Sequence, residues 1–372
     1  MHYYNNKSMK IDNIRKIYRY FQIYGFSRTY IKVFGRSRLD PLIKFPIFFS
    51  FKSKKQVAII GAGQFSFSTL GYFLKKNYGN CIFGVYDINQ ENSASFAKYH
   101  NTNVFSSASD LITSNYVKIV YIASNHSTHS DYAIAALKAG KIVYVEKPIS
   151  VNMEQFSSLM EVSINKKLYV GYNRPFSPAI IAARNYLNVE TRSPLTLNCF
   201  ITGHKLEKDH WYRDFKEGTR VCGNIGHWLD LSINLLNKIG MPTTINVTIN
   251  CSNLEEKDDN VAITMVTNEG DLIGIMLSSR EEPFEGINET INIQHSKVIV
   301  KIDDFRRMTV WDGVSLTKMR YFRKNVGHEN AILQPFSNLH VRDFSEIKVS
   351  TRLMLEITEA LRNSKTHFTF NV

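Results

Sequence analysis

From Gln56 onward the chain alternates short apolar runs with stretches of helical period. Val57–Ile60 is an apolar run closed by a glycine turn, a helical stretch follows to Lys76, and Cys81–Tyr86 is a second run, which together make a β-α-β unit. The alternation continues through a helix at Ser93–Tyr99, a strand at Val117–Ala123, a helix at Ser130–Ala139, a strand at Ile142–Val145, a helix at Met153–Ile164 and a strand at Leu168–Gly171. Strands joined through helices run parallel, so this pattern predicts a doubly wound parallel sheet with helices on both faces. Past Gly171 the pattern changes to fewer, longer runs at Leu195–Thr202, Ile245–Cys251, Val261–Thr267 and Leu272–Ser278, with a hairpin turn at Asn268-Glu269-Gly270 and a further antiparallel region over Thr290–Trp311. One helix, Arg220–Leu236, interrupts these strands and another, Thr351–Ser364, closes the chain. The expected division is an arm over 1–55, an α/β domain over 56–172, and an α+β domain over 173–372 with a large, mainly antiparallel open sheet, its last helix packing back on the first domain.

Composition narrows the class. A chain of 372 residues with 44% hydrophobic and 21% charged positions suits two ordinary globular domains. No apolar run approaches the roughly 20 residues of a membrane span, since the longest, Phe45–Phe51, is broken by Pro46 and Ser50. The four cysteines are far apart, without the paired spacing of a zinc site or the density of a disulfide scaffold, so a reduced cytoplasmic setting and no metal are expected. No secretory signal is read at the N-terminus. The net charge of +13 suggests nucleic acid until it is located: residues 1–55 hold 13 Lys and Arg against Asp12 and Asp40, and the rest is nearly neutral. A basic arm rich in Tyr, Phe and Ile, with no nucleic-acid module, argues against a nucleic-acid partner.

Candidate chemistry begins at Gly61-Ala62-Gly63-Gln64-Phe65-Ser66, between the first strand and the first helix. In that context the spacing is the Rossmann dinucleotide fingerprint: Gly61 permits the tight turn, Gly63 lets backbone approach a diphosphate, and the helix N-terminus favours the anion. Ser66 stands for the third glycine, whose task is helix packing. Asp87 ends the second strand, 26 residues after Gly61, where a carboxylate accepts from ribose hydroxyls and repels a 2′-phosphate. No Lys or Arg follows until Lys98, so NAD is favoured over NADP. The alternative is that Asp87 caps the helix beginning near Asn89.

Three more stretches complete the pattern: Asn125-His126-Ser127-Thr128-His129 after one strand, Val145-Glu146-Lys147-Pro148 at the end of the next, and Gly171-Tyr172-Asn173-Arg174-Pro175-Phe176-Ser177-Pro178. With the glycine turn they resemble the glucose-fructose oxidoreductase/inositol dehydrogenase (Gfo/Idh/MocA) family, in its sugar-modifying branch. A fourth match runs from His210-Trp211-Tyr212-Arg213-Asp214 to Gly218 through Asp230 and includes His227. The resemblance covers residues 56–365. It implies an active-site lysine at Lys147 and a histidine at His227, cofactor contacts from Gly61, Gly63, Gln64, Phe65, Asp87, Ser124, Asn125, His129, Glu146 and Lys147, and substrate contacts from Tyr172, Asn173, Arg174, Arg220, Asn224 and His227.

Physical chemistry supports those roles. Lys147 lies past a strand's carboxyl end, where ligands gather in open parallel sheets, and an ammonium there can stabilise a developing alkoxide. His227 titrates near neutrality and can take a hydroxyl proton. On a regular helix Arg220, Asn224 and His227 share one face, and Arg174 could pair with a phosphate or carboxylate. The chain departs from the family pattern at Gly223 and Asn224, where related dehydrogenases place a carboxylate.

The expected function is NAD-dependent oxidoreduction at a secondary hydroxyl of a sugar or cyclitol, with a nucleotide sugar for surface polysaccharide implied by the branch. The rival is a catalytically silent NAD-binding regulator or scaffold. A homo-oligomer through the C-terminal sheet is expected. In the arm, Ile11, Ile14, Tyr18 and Phe21 recur at helical steps beside Lys10, Arg15, Lys16 and Arg19. That stripe would either pack on the body or a neighbouring subunit, or lie on an anionic membrane surface, and the arm is expected to be dispensable for NAD binding.

Overall fold

The computed structural model describes residues 14–38, 53–187, 192–281, 283, 286–336 and 341–372. Lys10, Ile11 and the run Phe45–Phe51 lie outside the described residues.

The first sheet contains β1 (Val57–Ile60), β2 (Ile82–Tyr86), β3 (Asn103–Val104), β4 (Ile119–Ile122), β5 (Ile142–Val145) and β6 (Leu168–Val170). Their order is β3-β2-β1-β4-β5-β6, and every neighbouring pair is parallel. Helices cover both faces, so β1 and β4 are buried along their whole length, which is why they read as unbroken apolar runs. Helix starts are set by polar caps: the Asn89 side chain accepts from the N–H groups of Glu91 and Asn92, and that of Asn152 from Gln155. Strand order reverses between β1 and β4, so a crevice opens beyond their carboxyl ends.

The second sheet contains β7 (Leu195–Thr202), β8 (Thr244–Cys251), β9 (Val261–Thr267), β10 (Leu272–Ser278), β11 (Asn288–His295), β12 (Val298–Asp303), β13 (Arg307–Asp312), β14 (Ser315–Arg320) and β15 (His367–Asn371). The order is β14-β13-β12-β11-β7-β10-β9-β8-β15, antiparallel except where β7 and β10 pair in parallel. Burial alternates along β7 and β8, as in a sheet covered on one face. The opposite face carries exposed apolar residues in adjacent register: Phe200 beside Met276, Val266 opposite Leu272, and the row Ile299, Trp311, Leu316.

Both helices expected in the second domain differ in their bounds from the sequence expectation. The closing helix runs Phe344–Arg362, beginning seven residues before the expected Thr351, because its first turns bury polar groups rather than apolar ones. Asp230 and Glu346 both receive the Arg342 guanidinium, at 2.8 and 2.6 Å, Ser350 donates to Asp230, and Asn234 donates to Glu346. The helix expected from Arg220 is regular only over Gly226–Ile239 and is preceded by a π turn at Val221–Ile225.

The described part of the arm, residues 14–38, is folded onto the body. Residues 14–24 and Phe26–Ser37 are helical, separated at Gly25, whose φ of 79° is a conformation that favours glycine. The expected stripe is not the packed one: Ile14, Tyr18 and Phe21 are exposed, whereas Ile23, Thr29, Ile31 and Gly35 are buried. A Cβ at Gly35 would lie 3.0 Å from the Phe67 ring, so this glycine lets the second arm helix settle against the first helix of the Rossmann unit. Arg28 secures the contact by donating to Ser68 O at 2.6 Å.

Breaking the Arg342 network tests how far it holds the closing helix. Asp230 and Arg342 are both buried, and removing one partner strands the other charge, so Asp230→Ala should lose about 3–5 kcal/mol of unfolding free energy. Denaturant titration should show most of that loss recovered in Asp230→Ala with Arg342→Met and Glu346→Gln.

Candidate functional site

At the crevice, Gly61 has φ 90° and a Cβ there would lie 2.4 Å from Ala123 O, so the chain leaving β1 passes against the chain leaving β4. Gly63 faces an opening, with nothing among the described residues within 4 Å of where its Cβ would be. That opening above a helix start fits the approach of a dinucleotide diphosphate. Ser66 is buried in the packing position expected of it. Gln64 donates to Lys32 O of the arm at 3.4 Å, and the Phe65 ring lies 5.9 Å from the His328 ring.

Asp87 bridges strand and turn. One carboxylate oxygen accepts from Ala62 N–H at 2.6 Å and the other from Asn89 N–H at 2.8 Å, while Asn89 itself caps the following helix. Ribose hydroxyls reaching the end of β2 would meet this carboxylate. The structure adds a cation the sequence reading missed by looking only downstream of Asp87: Arg38 of the arm donates to Ala62 O at 2.6 Å and to Ser95 Oγ at 3.1 Å.

The loop after β4 is tied to the loop after β5 by His129. Its Nδ1 lies 2.7 Å from Pro148 O and its Nε2 3.0 Å from Ser124 O, so both ring nitrogens are engaged with backbone. Ser124 Oγ pairs with Thr128 Oγ1 at 2.8 Å, and Asn125 is exposed at the crevice rim. Glu146 turns inward, accepts from Tyr144 OH at 2.7 Å and presses on Gly171, where a Cβ would meet its carboxylate at 2.6 Å. Burial pushes the Glu146 carboxyl up, against the opposing hydroxyl bond from Tyr144 and the charge of Lys147. Burial likewise pushes the Lys147 ammonium down, opposed by Glu146 and reinforced by Arg174. The Lys147 amine donates to Gly223 O at 2.6 Å.

Gly223 precedes His227 on the same helical segment, so this bond brings lysine and histidine to one wall of the cleft. His227 is buried beside Tyr172, with ring centroids 6.0 Å apart, and its Nδ1 has no hydrogen-bond partner among the described residues. Burial, then the charges of Arg174 and Lys147, hold its pKa well below the usual histidine range, leaving the neutral imidazole that a proton acceptor requires. His328, which sequence reading passed over, is depressed in the same way by burial and then by Arg174, Arg28, Lys32 and Lys147.

Several expected substrate contacts have partners inside the fold. Arg174 pairs with Glu289 through two bonds of 2.8 and 3.3 Å, and Trp228 Nε1 donates to the same carboxylate at 2.9 Å. Asn173 donates to Val326 O at 2.6 Å, and the Tyr172 hydroxyl lies 3.5 Å from the Met354 sulfur. Arg220 pairs with Asp259 at 3.2 Å and with His204 O, and the single regular-helix face expected of Arg220, Asn224 and His227 is interrupted. The π turn explains this, because its wider spacing breaks the i, i+3, i+4 alignment of a regular helix.

Gly223 lies within the same turn. A Cβ on Gly223 would lie 2.5 Å from Cε2 of Tyr212, whose ring occupies the space a side chain there would take. Tyr212 is carried by a segment fastened to the Rossmann loop: Glu217 accepts from Ser127 N–H at 3.1 Å and Ser127 OH at 2.8 Å, and the His126 ring packs against both Trp211 and Tyr212 at 4.6 and 5.0 Å. Trp211 and Tyr212 were visible as part of a motif, but nothing in their spacing indicated the glycine they cover.

Comparison with known proteins agrees with this geometry. Residues 55–173 match the family described as Oxidoreductase family, NAD-binding Rossmann fold. Inositol 2-dehydrogenase of Serratia proteamaculans is 27% identical over 149 residues, covering 38% of this chain and 44% of that protein. Glucose-6-phosphate 3-dehydrogenase of Bacillus subtilis is 27% identical over 190 residues, covering 50% and 53%. The chain thus matches about half the length of these relatives. Among solved structures, levoglucosan dehydrogenase in complex with NADH and levoglucosan aligns with a TM-score of 0.68 at 14% identity, over 85% of this chain and 99% of that one. A myo-inositol dehydrogenase-like protein from Sinorhizobium meliloti aligns with a TM-score of 0.67 at 18% identity, over 85% and 99%. These two likenesses establish the two-domain fold.

If Tyr212 fills the place of a side chain at 223, the two positions are coupled. Gly223→Ala should cost about 1–3 kcal/mol through overpacking, and a double-mutant cycle with Tyr212→Ala should recover most of it. Additive losses in thermal unfolding would contradict the packing described.

Proposed function

We propose that this chain, which belongs to the Gfo/Idh/MocA oxidoreductase family through its NAD-binding Rossmann domain, oxidises a secondary hydroxyl of a sugar or cyclitol reversibly. The observation that carries the reading is the convergence of Lys147, bonded to Gly223 O, and His227 on the crevice that the Gly61–Gly63 turn and Asp87 open. Nicotinamide chemistry supplies the acceptor for the hydride. His227, neutral and with Nδ1 unpartnered among the described residues, takes the hydroxyl proton, while the Lys147 ammonium stabilises the oxygen as charge develops on it. The carbon then leaves as a ketone, one hydride and one proton poorer than the alcohol.

The similarity to an inositol 2-dehydrogenase and a glucose-6-phosphate 3-dehydrogenase favours a polyhydroxylated ring. Within that class the motif resemblance favours a nucleotide-linked sugar in surface polysaccharide synthesis. The exposed apolar face carrying Phe200, Met276, Ile299 and Trp311 favours a homo-oligomer through the second sheet, since patches of this kind mark association surfaces. Ile14, Tyr18 and Phe21 leave a smaller exposed stripe on the arm, suited to a subunit contact or to peripheral attachment at an anionic membrane.

Native mass spectrometry of freshly purified protein, followed by a screen of cyclitols, sugar phosphates and nucleotide sugars for NAD reduction, tests the reading. No reduction with any class, despite bound NAD, would favour a silent scaffold instead. With an active substrate, Lys147→Met and His227→Ala should each lower turnover by about 100-fold to 10,000-fold while NAD affinity measured by calorimetry stays nearly unchanged. Losses below about 5-fold in both would remove these residues from the mechanism.

The pH profile has a definite sign. Lys147 acts as its ammonium and its pKa is lowered, so oxidation should fall as pH rises at a value below that of an ordinary lysine. Neutral His227 stays available through the same range, because its pKa is depressed away from it. A rate that stays level up to the ordinary lysine pKa would exclude Lys147 as the charged group.

A further inference from the structure

Rossmann domains meet the adenosine ribose with groups that follow their second strand. In this chain the cation at that point comes from the segment preceding the domain. Arg38 ends the second arm helix in a left-handed conformation, and its side chain spans two walls of the crevice. Nη2 donates to Ala62 O within the glycine turn and Nη1 to Ser95 Oγ on the helix Gln90–His100 that follows β2. The guanidinium also lies 4.7 Å over the Phe67 ring, which fixes its plane. Asp87 grips the N–H of the same Ala62, so carboxylate and guanidinium hold opposite polar groups of one turn residue.

We infer that Arg38 is a cofactor-specificity residue, placed to pair with a 2′-phosphate on the adenosine ribose and to admit NADP beside NAD. The inference rests on the reading of this crevice as the dinucleotide site. A ribose whose hydroxyls reach Asp87 directs its 2′ substituent past that carboxylate, toward the turn and the helix that flank it. Asp87 alone repels a phosphate there. Arg38, bonded to both flanking elements, supplies the compensating charge with donors in a planar fork suited to phosphate oxygens. The attraction between Arg38 and Asp87 also opposes the effect of burial on the guanidinium. The sequence expectation of NAD preference therefore becomes a graded one, set by two opposed charges rather than by Asp87 alone.

The arm's role follows from the same contacts. Arg28 on Ser68 O and Gly35 against Phe67 hold the helix that delivers Arg38, so the basic segment is part of the crevice and not an appendage to it.

Calorimetry on the full chain with NAD and NADP separately tests this. The unmodified protein should bind NADP within about 10-fold of NAD. Arg38→Met, which keeps the stem over Phe67 and removes the charge, should weaken NADP by about 10-fold or more, the scale of a lost charge-assisted bond, and move NAD less than about 3-fold. Arg38→Lys should recover part of the NADP affinity, and thermal unfolding of both variants establishes that the arm remains docked. Equal weakening of both cofactors, or no change in either, overturns the assignment. Unmodified protein that binds NAD but rejects NADP by more than about 100-fold overturns it while leaving the site intact; protein that binds neither overturns the site reading and this inference with it.

Discussion

The crevice depends on how closely the chain after β1 passes the chain after β4. A side chain at Gly61 would lie 2.4 Å from Ala123 O, and no rotamer relieves a clash that begins at Cβ. Because strand order reverses at this pair of strands, the closeness sets the floor from which both loops diverge. Asp87 then clamps the turn from the side through Ala62 N–H, and His129 clamps the β4 loop to the β5 loop through Ser124 O and Pro148 O. The position of Lys147 follows from these constraints, since it leaves β5 one residue before the proline whose carbonyl His129 holds. A flexible side chain is thereby aimed by backbone contacts made elsewhere.

Polar groups buried around the cleft divide into those already neutralised and those left with capacity. Arg174 with Glu289, and Arg220 with Asp259, pair with one another inside the fold, and such pairs fix geometry more than they add stability. Lys147 and His227 are different: the first donates to a backbone carbonyl of the wall, and the second keeps a ring nitrogen unpartnered among the described residues. Burial weakens the charged form of each, which holds the histidine neutral and makes the lysine proton easier to lose than in water. Arg174 contributes at a distance by adding positive potential to both. Its value to the site is electrostatic, although its hydrogen bonds are spent on Glu289.

Most of the architecture was legible because parallel strands buried on both faces leave unbroken apolar runs, as at Val57–Ile60 and Ile142–Val145, and outer-sheet strands alternate, as at Leu195–Thr202. What escaped notice had physical reasons. Edge strand β14 exposes most of its side chains, so it carries no apolar period, and the first turns of Phe344–Arg362 bury Glu346 and Ser350 in an ion-pair network that reads as surface. The roles proposed for Gly61, Asp87, Lys147 and His227 were read from motif context. A π turn cannot be seen in spacing, so the interruption between Arg220 and His227 went unread, and the contacts of Arg38, Tyr212, Glu217 and His328 went unread because each is made across a long sequence separation.

The arm shows how a local pattern can report the right kind of element without showing which of its faces docks on the body. Helical spacing of Ile14, Tyr18 and Phe21 pointed to a helix, and those residues are helical, but they face outward. The docking face is made instead by Ile23, Ile31 and the small residues Thr29 and Gly35, which carry little hydrophobic signal. Small residues serve there because the partner surface, the start of the first Rossmann helix at Phe67 and Ser68, must be approached to within side-chain contact distance. Once that approach is made, the cations of the segment no longer float in solvent: Arg28 and Arg38 end on backbone carbonyls of the dinucleotide turn and its helix. Charge that looked like a tail for some outside surface is, for these two residues, part of the electrostatic environment of the crevice.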